Sequence, residues 1–215
     1  METRFERKWK INKIYFNQLF NALRNSKFCF FNKYEPRWIN SIYYDDVFFS
    51  AVKENLDGVK EKKKVRIRWY GDQYKTKTIN LELKKKIGFI CQKQKKKFLL
   101  KNPILNKKNL DSLKKEIIKK YPFFIKFNQV ASTRYFRYYL ISNNKKVRAT
   151  IDTEIEYRKF DLNNDYLGKI KDKNIVLEFK YDTIHDEYCR GNFENNFLRF
   201  TKNSKYTNSF FWNNL

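Results

Sequence analysis

The sequence predicts an α+β fold organised around an antiparallel sheet or barrel, with helices inserted between its hairpins. Three observations lead there. Segments with period-two alternation of apolar and charged residues dominate the chain. Pairs of such segments flank turn signals at Gly71-Asp72 and Asn143-Asn144, as strands of a hairpin do. Only 5 Gly and 3 Pro punctuate 215 residues, and neither a Ser/Gly/Pro linker nor a repeat of fixed period divides them. Residues 1–215 therefore read as a single domain.

In order, a first strand covers about Arg4 to Lys10, and a helix follows from about Asn12 to Asn25, where Ile14, Leu19, Ala22 and Leu23 fall near helical spacing. Ile39 to Tyr44 is a short strand ending at Asp45-Asp46, and Phe48 to Leu56 a short helix closed by Asp57-Gly58. Lys64 to Tyr70 and Thr78 to Lys85 form the first hairpin. Phe89 to Cys91 and Lys97 to Leu100 are shorter strand candidates. Leu110 to Tyr121 is helical through Leu110, Leu113, Ile117 and Ile118, and stops at Pro122. Ser132 to Ser142 and Lys146 to Arg158 form the second hairpin. Ile175 to Tyr181 is a further strand and Glu187 to Phe200 a last helix. Asn does much of the turn work, since it tolerates left-handed backbone.

The charge is the second signal. Lys+Arg number 48 against 23 Asp+Glu, a formal net charge of +25, while 41% of residues are hydrophobic and 19% aromatic. So much apolar material can bury a core and excludes a disordered polycation. No apolar run approaches the ~20 residues of a membrane span, and residues 1–10 lack the apolar stretch of a signal peptide. Three widely spaced cysteines, Cys29, Cys91 and Cys189, offer neither a disulfide framework nor a zinc spacing. A cytoplasmic, polyanion-binding domain is the expectation. The lysine runs 60–64 and 93–97 read as solvated faces and loops.

Placement says more than the total. Strand side chains alternate between faces, and the polar faces here carry Arg4, Glu6 and Lys8; Lys64, Arg66 and Arg68; Glu82 and Lys84; Arg148, Thr150 and Asp152; Glu178 and Lys180. Wet faces of ordinary sheets favour Thr, Ser and Gln. Burying charge without partners is costly, so a closed sheet of such strands would enclose a hydrated or ligand-filled tunnel. A chain of phosphates with a divalent metal fits it: cations grip the oxygens and carboxylates hold the metal.

The segments Arg4-x-Glu6-x-Lys8, Ser41-Ile-Tyr-Tyr-Asp-Asp46, Lys64-Val-Arg-Ile-Arg-Trp-Tyr-Gly71, Leu81-Glu-Leu-Lys84, Tyr135-x-Arg137, Val147-Arg-Ala-Thr-Ile-Asp-Thr153, Val176-Leu-Glu-Phe-Lys-Tyr181 and Lys202-x-Ser-Lys-Tyr206 together resemble the VTC domain, the polyphosphate polymerase branch of the triphosphate tunnel metalloenzymes, whose relatives include the CYTH proteins. The resemblance implies an antiparallel eight-stranded β-barrel tunnel with helices packed outside. It implies transfer of the ATP γ-phosphate onto phosphate or polyphosphate, with Mn²⁺ or Mg²⁺ as cofactor. By motif, Lys8, Arg66, Arg68, Lys84, Arg137, Arg148, Lys202 and Lys205 would contact phosphates, with Lys180 on the same strand face as the metal ligand. Ser204 and Tyr206 would position the terminal phosphate or the C-terminal segment. Glu178 would hold the metal, with Glu6 and Glu82 as helpers. The sequence carries no inositol-phosphate-sensing domain and no membrane segment, so a membrane complex that exports its product is not expected.

Two other readings compete. A triphosphatase acting on inorganic triphosphate, nucleotides or RNA 5′ ends would use nearly the same site. A noncatalytic polyanion-binding module would gain nothing from the wall carboxylates. Apart from an RNA 5′ triphosphate, nucleic acid is not the expected partner, because a base-stacking platform needs exposed aromatics beside basic residues.

Overall fold

The computed structural model describes residues 4–87, 90–158, 169–193, 201 and 203–213. In chain order they form β1 (Arg4–Asn12), α1 (Phe16–Asn25), β2 (Phe31–Asp45), α2 (Ser50–Leu56), β3 (Glu61–Tyr70), β4 (Thr78–Ile87), β5 (Ile90–Leu99), α3 (Lys107–Lys120), β6 (Asn128–Ile141), β7 (Arg148–Arg158), β8 (Lys169–Lys171), β9 (Asn174–Asp182), α4 (Asp186–Phe193) and α5 (Lys205–Asn213). The strands make one antiparallel sheet in the order β1-β9-β7-β6-β2-β3-β4-β5, with the short β8 beside β7.

The expected hairpins hold: β3 pairs with β4 and β6 with β7. Three differences stand out. The described sheet has nine strands rather than eight, and no ladder joins its outer strands β1 and β5. Beyond β9, β1 meets residue 201 instead: Thr201 N donates to Lys8 O at 2.9 Å, and Lys10 N to Thr201 Oγ1 at 3.0 Å. The chain preceding α5 thus occupies backbone groups that a barrel-closing strand would need. The lysine runs 60–64 and 93–97 are not loops but lie largely in β3 and β5, because a strand with one wet face accepts Lys at every second position. Finally, α5 was not anticipated, and the expected last helix begins at Asp186; its residues 194–200 lie outside the described ones.

The apolar faces of the strands form the core beneath the outer helices. Trp9, Ile151, Leu177 and Phe179 pack with Leu23 of α1 and Cys189 of α4. Ile67, Leu81 and Phe98 pack with Leu110, Leu113 and Ile117 of α3, whose 3–4 spacing gives that helix its buried stripe. Asn106 caps α3 by accepting from Asn109 N at 2.9 Å, and Pro122 follows its end. The opposite, polar faces are left to meet one another across the curl of the sheet. Lys84 of β4 reaches Glu6 of β1 at 3.1 Å, although the two strands share no ladder.

Helix α5 packs on β6, β7 and α2, and one buried carboxylate ties it down. Asp45, at the end of β2, accepts from Ala51 N and Val52 N of α2 at 3.1 and 3.2 Å and from Tyr206 Oη of α5 at 2.5 Å. The Tyr206 ring stacks on Tyr43, centroids 5.0 Å apart. This explains the Tyr-Tyr-Asp pattern of the 41–46 segment: it joins α2 and α5 to the sheet. Replacing Asp45 with Ala removes a helix cap and leaves a buried hydroxyl without its acceptor. Denaturant unfolding should show a loss of about 2–4 kcal/mol, whereas Tyr206→Phe should cost about 1 kcal/mol.

Candidate active site

The curled polar face encloses a cavity of about 720 Å³ whose wall includes residues of β1, β2, β3, β4, β5, β6, β9 and the start of α5. Of the residues singled out in the sequence, Lys8, Arg66, Arg68, Lys84, Arg137, Lys180, Glu6, Glu178, Ser204, Lys205 and Tyr206 all line it. Glu82 lies immediately behind, bound to three of the lining cations. Arg148 is the exception. It is exposed, outside the cavity wall, with Arg4 and Tyr34 as its electrostatic neighbours. Its strand register puts it opposite Ile141 and Lys180 at the end of β7, where the sheet face runs out to solvent. Lys202 lies outside the described residues.

Charge inside the cavity is organised as carboxylates that each hold several cations. Buried Glu82 accepts from Arg66 Nε at 2.8 Å with one oxygen and from Lys93 Nζ at 2.8 Å with the other. Arg68 lies 3.8 Å from Glu82 and donates to Tyr135 Oη at 3.1 Å. Buried Asp152 receives two hydrogen bonds from Arg137, at 2.5 and 2.7 Å, and one from Lys205 at 2.5 Å. Glu6 binds Lys84 at 3.1 Å and Lys180 at 3.2 Å. Glu178 differs: Lys8 and Lys180 stand at 3.6 Å and Arg137 at 4.0 Å, beyond ordinary hydrogen-bond length.

The protonation states follow. Burial works to raise the Glu82 carboxyl, but Arg66, Arg68 and Lys93 outweigh it and hold it at about 2. Burial is likewise overcome at Glu6, which Lys180 and Lys84 hold at about 2, and at Glu178, kept well below the carboxylate range by Lys180, Lys8 and Arg137. Burial raises the Tyr135 phenol, yet Arg137 and Arg68 bring it below its ordinary value. Lys64 moves the other way. Burial, with Lys8 and Lys84 nearby, lowers it to about 7.

These contacts decide which acids suit a metal. No group of three potential ligating side chains occurs among the described residues, so the donor set is sparse. Mg²⁺ commonly uses one or two carboxylates and takes its remaining ligands from phosphates and water. Glu178 fits that mode: it is ionised, lines the cavity, and its oxygens are not consumed by short hydrogen bonds. Glu6 would have to share with Lys84 and Lys180. Glu82 does not fit, since Arg66 and Lys93 occupy both of its oxygens; it holds the arginines in place.

Several cavity residues escaped sequence reasoning. Asp152 stood on the correct strand face, but its pairing with Arg137 is set by the β6–β7 register. Lys93 was hidden within a lysine run, and Lys64, placed by parity on the face of Arg66 and Arg68, carried no role of its own. Tyr43, Tyr135 and Asn203 also line the wall, with Arg4, Phe5, Lys86 and Val176, and nothing in local sequence distinguishes these tyrosines from core aromatics.

The family model of the VTC domain matches residues 3–211. The chain belongs to the VTC domain family. No curated protein sequence matches it. Among solved structures, a Vibrio parahaemolyticus protein proposed to be an adenylate cyclase superimposes with a TM-score of 0.54 at 12% identity, covering 97% of each chain. A Bacillus halodurans protein, likewise proposed to be an adenylate cyclase, gives 0.49 at 16% identity, over 90% of this chain and 87% of that one. At such identity the first likeness speaks for the shared fold alone, and the VTC domain carries that fold here with its own charged lining. No helix among the described residues is long and apolar enough to cross a membrane.

The carboxylates' low values make a prediction about stability and pH. Above the ordinary carboxylate value of 4.5, Glu82 is ionised whether the chain is folded or unfolded, and its ion pairs stabilise in full. Between there and about 2 the unfolded chain binds the proton and the folded chain does not, so stability falls with falling pH. Denaturation midpoints measured from pH 6 to 2 should decline across this window. Glu82→Gln should flatten part of the decline and cost about 3–5 kcal/mol at neutral pH, because it strands Arg66 and Arg68 without their counter-charge.

Proposed function

We propose that this VTC domain is a metal-dependent phosphotransferase that moves the γ-phosphate of ATP onto phosphate or polyphosphate within the cavity, which would serve as a tunnel for the growing chain. The observation that carries this reading is the convergence of Arg66, Arg68, Arg137 and Lys205 on one cavity that also holds the ionised Glu178. Membership of the family supports it.

The chain's residues suit phosphoryl transfer, where positioning and charge neutralisation supply most of the rate. The three arginines present planar forks to phosphate oxygens. Two are already held by carboxylates through their guanidinium nitrogens, Arg66 by Glu82 and Arg137 by Asp152, which fixes their direction before substrate arrives. Lys8, Lys84 and Lys205 lie where they can offset charge developing on the transferred group. The acceptor phosphate is already ionised and needs no dedicated base. A divalent ion held by Glu178 would act as Lewis acid and template across phosphate oxygens.

Incubation with ATP and Mn²⁺, with products resolved on a gel, tests the reading. A ladder of polyphosphate is expected. Free phosphate alone would make the protein a triphosphatase, and unchanged ATP would leave a polyanion-binding module. Glu178→Gln should reduce metal-dependent turnover at least ~100-fold, the scale of losing a main electrostatic contact to the reacting group, with far-UV circular dichroism unchanged. Full activity in that variant would remove Glu178 from the site.

A further inference from the structure

Lys64 differs both from the paired lysines of the cavity and from Lys86, which also lines it but is exposed to solvent. Lys8 and Lys180 stand beside Glu178, Lys84 binds Glu6, Lys93 binds Glu82 and Lys205 binds Asp152. Lys64 has no carboxylate partner among the described residues; its Nζ donates to Ser204 Oγ at 3.0 Å, joining β3 to the start of α5. Its surroundings are cationic on nearly every side. Lys84 sits directly opposite on β4, Lys8 approaches from β1, and Lys62 and Arg66 flank it on β3. The acids that might have balanced it are committed elsewhere, Glu6 to Lys84 and Lys180, and Asp45 of β2 to Tyr206 and the α2 amides. On α5, Lys205 adds another positive charge, paired to Asp152. Among the described residues the cavity thus contains a lysine that no carboxylate balances.

Ser204 is the second half of the arrangement. Its Oγ accepts from Thr207 N at 3.3 Å and from Thr207 Oγ1 at 3.1 Å, which makes it the cap of α5. A hydroxyl has one hydrogen to give. When Lys64 is a neutral amine, that hydrogen can go to the Nζ lone pair. When Lys64 is an ammonium, the two lone pairs of Ser204 Oγ take Nζ and Thr207 N, the Thr207 hydroxyl turns away, and the Ser204 hydroxyl hydrogen is released toward the cavity.

We propose that Lys64 and Ser204 form a proton-coupled phosphate latch. A phosphate chain entering the cavity is accompanied by transfer of one proton from solvent to the Lys64 amine; the ammonium donates to Ser204, and the Ser204 hydroxyl donates to a phosphate oxygen. This rests on the phosphate reading of the cavity and adds to it a pH dependence. The lowering of Lys64 to about 7 by burial and by Lys8 and Lys84 leaves the empty site largely deprotonated at pH 8. Negative charge beside the amine favours its charged form. Affinity is therefore highest below pH 7 and declines as pH rises above it, approaching about tenfold per unit for the single proton involved.

The test is calorimetric titration of inorganic tripolyphosphate into the protein at pH 8, in Hepes and in Tris, whose ionisation enthalpies differ. The wild type should take up close to one proton more per bound tripolyphosphate than either Lys64→Arg or Lys64→Met. The ligand's own protonation is common to all three and cancels. Lys64→Arg keeps the positive charge but stays protonated in both states, so it should bind with that proton missing; it carries the test even if Lys64→Met folds poorly. Equal proton uptake by wild type and Lys64→Arg would overturn the latch while leaving phosphate binding intact. Absence of tripolyphosphate binding to the wild type would overturn the phosphate reading, and the latch with it.

Discussion

The constraint on which the rest of this structure depends is the need to hold many cations inside a protein without letting them repel one another apart. Charges removed from water interact strongly, and unpaired ones are costly. The chain meets this with a few carboxylates that each serve more than one cation: Glu82 with Arg66, Arg68 and Lys93, Asp152 with Arg137 and Lys205, Glu6 with Lys84 and Lys180. The cations still outnumber the acids. The cavity therefore keeps a positive excess among its described lining residues.

That solution shapes the fold. The sheet places its apolar faces outward, beneath α1 and α4 on one side and α3 on the other, and curls its polar faces toward one another. Contact between β1 and β4 is made by side chains, Glu6 to Lys84, rather than by a backbone ladder. Helix α5 is then brought over the polar face by Asp45 and Tyr206, which delivers Ser204 and Lys205 to the cavity. Neighbouring residues of a single stretch take different partners: in α5, Lys205 turns to Asp152 while Tyr206 turns to Asp45.

Much of this was legible in the sequence because a strand's alternation reports its two faces directly. Arg66 and Arg68, Glu178 and Lys180, and Glu6 and Lys8 were assigned to shared faces by parity alone, and all six line the cavity. Parity was least informative where both faces of a strand are charged. Lys93 to Lys97 looked like a solvent-exposed run, and only the pairing of β4 and β5 reveals that Lys93 turns inward, whereas Lys64 shares the face of Arg66 and Arg68 by parity although its run reads as solvated. Arg148 shows the opposite failure. Its face was right, but its position at the end of β7 takes it past the cavity to solvent. Asp152 was missed because a carboxylate's role as clamp depends on which arginine the register sets beside it. Helix α5, with four aromatic residues and two Asn among its nine, lacks a strong apolar period, and it is held by contacts to β6, β7 and α2.

The account's central claim is that the interior cations, and not the abundant outer lysines, are the phosphate site. A crystal structure with bound tripolyphosphate tests it most directly. The account predicts the ligand between Arg66, Arg68, Arg137 and Lys205, with Glu82 and Asp152 still holding their arginines. Tripolyphosphate found only on outer lysines, such as those along α3, with the cavity residues unchanged, would contradict it.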